Sequence, residues 1–164
     1  MKVTKIEKQD NLFSITNYLI QKHKITEPVK LQKILYFLYL EYLKENNNKL
    51  FEEEFEAWVY GPVLKRVYNH LKYVGLNFNE YETFDSEKDE YVITKIMPLT
   101  DEKIFNFIDS KIKKYKNKNT FDLVDEAHKT KPWIKARKGL LSNQISTEKI
   151  KFKDIENFVK VWKP

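Results

Sequence analysis

The chain contains no cysteine, which excludes disulfide frameworks, thiolate nucleophiles, iron–sulfur clusters and every zinc site that needs sulfur ligands. A reducing cytosol is the expected setting. Glycine is almost as scarce: the only three, Gly61, Gly75 and Gly139, stand far apart, whereas loops that cradle nucleotide phosphates need two or three close together. Mononucleotide- and dinucleotide-binding folds are therefore not expected. No apolar run approaches the roughly 18 residues of a membrane span, and the N-terminus lacks the charged, apolar, small-residue order of a signal peptide. The expectation is a soluble, unprocessed protein with no membrane partner. Arginine is limited to Arg66 and Arg137 among 30 basic residues, although arginine is the usual reader of phosphate and guanine.

What remains is a chain of 164 residues and 19.9 kDa with 11 Phe, 10 Tyr and 3 Trp, long enough for one domain with a substantial core. Its net charge of +6 is unevenly placed: residues 1 to 100 carry 14 basic against 15 acidic side chains, and residues 101 to 164 carry 16 against 9. The basicity thus belongs to the C-terminal third. A lysine-rich solvated face and a nucleic-acid surface both fit that pattern, but no helix-turn-helix pair with arginine or asparagine readers accompanies it.

Apolar spacing and punctuation point to a series of helices. Asp10 is placed to cap a helix reaching about His23 through Leu12, Phe13, Ile15, Leu19 and Ile20. Pro28 opens the strongest helix, apolar nearly all round and so expected at the centre of the fold, ended by Asn46–Asn48. Between Phe51 and Tyr60 the period changes to two, which predicts a short strand. Gly61–Pro62 should then turn the chain into a helix carrying Val63, Leu64, Val67, Tyr68, Leu71 and Val74, closed by Gly75. Residues 76 to 90 read as a polar loop and Tyr91–Met97 as a second strand pairing with the first. Thr100 and Thr120 are expected to cap the next two helices, Pro132 opens another stopped by Gly139, and Phe152–Trp162 has helical spacing. The expected fold class is mainly α: a single-domain helical bundle, residues 1 to 164, with a small antiparallel β insert.

No catalytic constellation can be assembled. His23, His70 and His128 are scattered without metal-ligand spacing, and Glu52, Glu53, Glu54 and Glu56 on a strand would point to alternate faces. The serines lie in no nucleophile-elbow context. No cofactor, metal or catalytic residue is expected. The distinctive residues are Trp58, Tyr60, Gly61 and Pro62, and His128, Pro132 and Trp133. Singly, each suits core packing or capping; together, they suit a groove for a partner, since Trp and Tyr anchor interfaces.

These same residues carry a resemblance. Leu31-Gln32-Lys33-Ile34-Leu35-Tyr36-Phe37, then Phe55-Glu56-Ala57-Trp58-Val59-Tyr60-Gly61-Pro62-Val63 with Val67-Tyr68, then Ala127-His128 and Pro132-Trp133 with Ala136, then Ile150, Ile155 and Phe158, together resemble the SocA-like Panacea domain, a family that includes phage-associated GepA-type proteins. The blocks run in order from about residue 8 to residue 162. Lys129 to Lys131 depart from the family pattern, where polar or acidic residues are more usual. The resemblance implies a cytoplasmic, non-enzymatic antitoxin of a toxin–antitoxin pair, whose partner is a cognate toxin encoded nearby, neutralised by direct protein–protein interaction or by the antitoxin acting as an adaptor that delivers the toxin to a protease. It also implies that Trp58, Tyr60, Gly61, Pro62, His128, Pro132 and Trp133 are the motif positions, as scaffold or as interface. The alternative from another class is a nucleic-acid-binding regulator using the lysine-rich third.

Overall fold

The computed structural model describes residues 2–164. Its elements, in chain order, are β1 (Lys2–Lys8), α1 (Asn11–Gln21), α2 (Pro28–Asn46), β2 (Glu56–Trp58), β3 (Gly61–Val63), α3 (Lys65–Tyr73), β4 (Glu80–Asp85), β5 (Glu90–Ile96), α4 (Glu102–Lys116), α5 (Thr120–His128), α6 (Lys131–Ala136) and α7 (Phe152–Val161). The fold is mainly α with a small β component, as the sequence pattern predicts.

Helix α2 is the axis of the molecule. Every residue from Leu31 to Leu43 is buried, because α1, α3, α4, α5, α7 and β3 surround it. Pro28 opens it and Asn47, at φ 54°, ends it in the left-handed conformation that asparagine tolerates. Its rings are met on several sides: Phe55 lies 5.1 Å from Tyr36 and 5.4 Å from Tyr39, Phe37 stacks on Tyr115 at 5.4 Å, and Tyr42 meets Phe107 at 5.1 Å. The buried Glu41 carboxylate is answered by Lys114 and by the hydroxyl of Tyr115, as a charge in an apolar interior requires.

Several boundaries differ from the sequence pattern for local reasons. Strand β2 is confined to three residues, because Phe51 and Phe55 leave the extended path to pack on α2. Pro62 does not open a helix; it lies in β3, which pairs antiparallel with β2, and α3 begins only at Lys65. Asp101, not Thr100, caps α4, its carboxylate accepting from the amides of Lys103 and Ile104, while Asn119, not Thr120, caps α5. In each case the Asp or Asn one residue away occupies the N-cap and its side-chain oxygen reaches the free amides. Asp10 caps α1 as expected, accepting from the Phe13 amide at 3.1 Å, and Gly75, at φ 108°, closes α3.

The larger correction concerns the sheets. Residues 76 to 90 are not a loop: Phe78 is fully buried and β4 pairs antiparallel with β5 around a turn in which Asp85 accepts from the amides of Glu87 and Lys88. Nor does β5 pair with β2. It lies between β4 and β1, parallel to β1 in the register Lys2↔Glu90 to Lys8↔Ile96, so the three-stranded sheet is mixed and separate from the β2–β3 pair. β1 and β4 are solvated on most positions of both faces, which removes the alternation that would have marked them as strands.

Candidate partner-binding site

The β2–β3 hairpin is too short to hold itself together by its own ladder, and side chains from distant elements secure it. Three successive carbonyls are taken by donors from the α5–α6 region: Arg137 Nη1 donates to Ala57 O, Trp133 Nε1 to Trp58 O and His128 Nε2 to Val59 O, each at 2.9 Å. From the other side α2 contributes Lys33, whose Nζ donates to Pro62 O at 2.9 Å, and Gln32, whose amide group donates to Leu64 O and accepts from Leu64 N. Burying these backbone groups without partners would cost about 1–3 kcal/mol each, so the side-chain donors specify where the hairpin can sit.

The donors are themselves positioned. The His128 ring stacks on Trp133 at 4.3 Å with the planes 22° apart, and the Arg137 guanidinium lies 5.4 Å from the Trp133 centroid. Pro132 is buried in the first turn of α6, and the Thr130 hydroxyl just before it donates to Ala127 O, which leaves Thr130 Oγ1 to accept from the Tyr36 hydroxyl on α2. Burial lowers the pKa of His128, and the nearby charges of Lys33 and Arg137 act in the same direction, against its bond to the Val59 carbonyl. The ring is therefore neutral at pH 7 and carries its hydrogen on Nε2 to serve that carbonyl.

Gly61 is required twice. Its φ of 109° is a conformation side chains rarely adopt, and a Cβ there would lie 2.7 Å from Lys33 Cε. The hairpin thus closes directly over the lysine. Lys33 is 1% exposed and bonds no carboxylate among the described residues; burial brings its pKa down to about 7. A lysine nitrogen with one carbonyl partner among the described residues is an unusual occupant of the centre of a fold.

Beside the hairpin, between the start of α2, α3 and residues 145–147, opens a groove of about 810 Å³. Trp58 and Tyr60 line it; Tyr60 is 65% exposed, and Trp58 lies edge-on to Tyr68 at 4.7 Å with its indole donating to Glu56. The seven residues singled out by sequence therefore divide. Trp58 and Tyr60 face the groove, Gly61 and Pro62 shape the hairpin above Lys33, and His128, Pro132 and Trp133 stand behind it as supports. Sequence reasoning missed Gln32, Lys33 and Arg137 as part of this arrangement; the signal was a polar pair, Gln32-Lys33, just before the unbroken apolar and aromatic run Ile34 to Leu40.

No histidine ring among the described residues bonds a serine or threonine hydroxyl: His23 meets Asp109, His70 the Asn77 carbonyl and His128 the Val59 carbonyl. No group of three His, Asp or Glu among those residues could hold a metal ion, and no helix is long and apolar enough to cross a membrane. Five of the fifteen lysines after residue 100 are in ion pairs among the described residues, Lys111 and Lys114 with Glu45 and Glu41, Lys118 with Glu126, Lys135 with Asp154 and Lys153 with Glu156.

The architecture is that of a mainly α protein in which one buried helix carries a hairpin secured by side chains from across the chain. Residues 31–134 match the family described as antitoxin SocA-like, Panacea domain, and the chain belongs to that family. The matched span takes in Gln32 and Lys33, the hairpin, and His128, Pro132 and Trp133, so it holds the hydrogen-bonded unit described above except for Arg137, three residues beyond it. No curated protein and no solved structure matches the chain. Membership of an antitoxin family assigns an antitoxin-like role.

Proposed function

We propose that this protein is the antitoxin half of a toxin–antitoxin pair and neutralises its cognate toxin by binding it directly, without catalysis. The observation that carries this reading is the match of residues 31–134 to an antitoxin family. It is supported by what the motif residues do: the side chains that carry the match spend their polar groups on fastening a hairpin, and none is paired as nucleophile and base. The whole chain acts as one domain, since the apolar core joins residues from Leu12 to Val159. Its place is the cytoplasm. Delivery of the captured toxin to a protease is a second mode compatible with the same binding step, whereas the scarcity of arginine, with Arg66 and Arg137 alone and Arg137 spent on backbone carbonyls, weighs against nucleic acid as the main partner.

The test is co-expression with the product of the adjacent gene. That product alone should arrest growth, the pair should grow, and the two proteins should co-purify; a stable complex would bury about 800 Å² on this chain. A neighbour that is harmless alone, or that does not bind, refutes the reading. Loss of the toxin over time in a protease-proficient host but not in a protease-deficient one would mark the adaptor mode.

A further inference from the structure

The groove beside the hairpin has a chemical character that narrows what it can accept. Its walls are aromatic and aliphatic, with Trp58, Tyr68 and Tyr73 beside Val29 and Ile145; Tyr73 is 75% and Ile145 88% exposed. Its basic lining residues are the exposed Lys65 and Lys72 and the buried Lys33, with no Asp or Glu among the described lining residues. Of the carboxylates adjoining it in sequence, Glu56 accepts from the Trp58 indole at 3.0 Å and Glu27 from the Thr120 hydroxyl at 2.6 Å. Neither Lys65 nor Lys72 pairs with an acid among the described residues; each lies over a ring instead, Lys65 5.3 Å from the Trp58 centroid and Lys72 5.2 Å from that of Tyr73. Such contacts orient an ammonium group without neutralising it. Beneath them, the Lys33 nitrogen donates to the Pro62 carbonyl and meets no carboxylate among the described residues.

An apolar groove with uncompensated positive charge is complementary to an acidic polypeptide segment that carries large apolar side chains. Single-stranded nucleic acid needs open ring faces for base stacking. Here Lys65 lies over the Trp58 ring and Tyr68 meets it edge-on at an interplanar angle of 65°, so the central ring of the groove is already engaged, and the lining mixes aliphatic with aromatic side chains, Val29, Leu71 and Ile145 beside the rings, as apolar polypeptide side chains require. We propose that this groove is the docking site for an acidic, apolar-anchored segment of the protein partner, with aliphatic or aromatic side chains against Trp58, Tyr68 and Tyr73 and Asp or Glu side chains at Lys65 and Lys72. Taking that partner to be the toxin rests on the antitoxin reading above.

The decisive variant is Lys65→Glu with Lys72→Glu, both exposed positions, with a thermal unfolding midpoint close to that of the wild type confirming the fold. A random dodecapeptide display library is selected on the full-length wild type. Selected peptides should be enriched in Asp and Glu beside Leu, Phe or Trp, and synthetic copies should bind the double variant at least tenfold more weakly. No enrichment, or basic or uncharged winners, overturns the proposal. So does tighter binding of a labelled oligo(dT) than of any selected peptide with the same loss in the variant, which would assign the groove to nucleic acid. In the co-expression assay, a wild type that rescues growth and a double variant that rescues equally well overturns the groove and leaves the antitoxin reading standing. A wild type that fails to rescue refutes the antitoxin reading, and the peptide selection still judges the groove.

Discussion

Lys33→Met is the substitution whose consequences the structure constrains most tightly. The wild-type amine is buried, and its pKa falls from 10.5 to about 7 because the interior disfavours the charged form. The unfolded chain holds that proton up to about pH 10.5, whereas the native state gives it up near pH 7. Between those limits the unfolded state binds more protons, so native stability must rise with pH, by about 1.4 kcal/mol for each unit well inside the window. Integration gives a gain of about 2–3 kcal/mol from pH 7 to pH 9 and a residual cost of about 4 kcal/mol at pH 7. Methionine fills a similar volume and removes that cost, but leaves the Pro62 carbonyl without its donor, a loss of about 1–3 kcal/mol. The variant should therefore be more stable than the wild type at pH 7 by about 1–3 kcal/mol, with the advantage fading by pH 9. Urea denaturation at a series of pH values measures both quantities, since a shifted midpoint at constant slope reports stability alone. A wild type with flat stability from pH 6.5 to 9, or a Lys33→Met protein less stable at pH 7, would show that the amine is not an unpaired buried group.

Three further outcomes follow from the hairpin. Gly61→Ala and Gly75→Ala share nearly the same φ, 109° and 108°, but only at Gly61 would the new Cβ meet Lys33, so Gly61→Ala should cost about 1 kcal/mol more than Gly75→Ala in thermal or urea unfolding. Trp133→Phe keeps the ring against His128 and removes the donor to Trp58 O, which should lower stability by about 1 kcal/mol. Because burial holds the His128 pKa below 6.5, the unfolded state takes up the proton first, and native stability should fall as pH drops from about 6.5 toward the lower native value. Stability curves of His128→Gln over that interval should lack this component; an unchanged acid slope would refute the neutral, carbonyl-bonded ring.

Local rules made much of the helical framework legible. Pro28 and the Asn46–Asn48 run bracket α2, its apolar circumference marks it as central, and Asp10 and Gly75 cap where short acceptors and glycine should. These signals work because capping and burial periodicity depend on residues a few positions apart. Strands β1 and β4 escaped because both are solvated and lack apolar alternation, and their existence depends on β5 lying between them. The cap assignments slipped by one residue at Asp101 and Asn119 because neighbouring side chains of similar capping strength compete, and backbone direction decides which reaches the amides.

The candidate site divides the same way. Composition, spacing and motif order by themselves determined a helical, cysteine-free chain with no reactive constellation, and picked out Trp58, Tyr60, Gly61, Pro62, His128, Pro132 and Trp133 together with the family they point to. Only the tertiary structure decided their roles. His128 reaches a carbonyl 69 residues away, Trp133 one 75 away and Arg137 one 80 away, while Lys33 is buried by a hairpin 29 residues downstream. The groove with its unneutralised lysines exists because those long-range bonds hold the hairpin against α2 and α3. Periodicity records which face of an element is buried; it does not record which distant donor a carbonyl will meet, since that depends on how the whole chain closes in three dimensions.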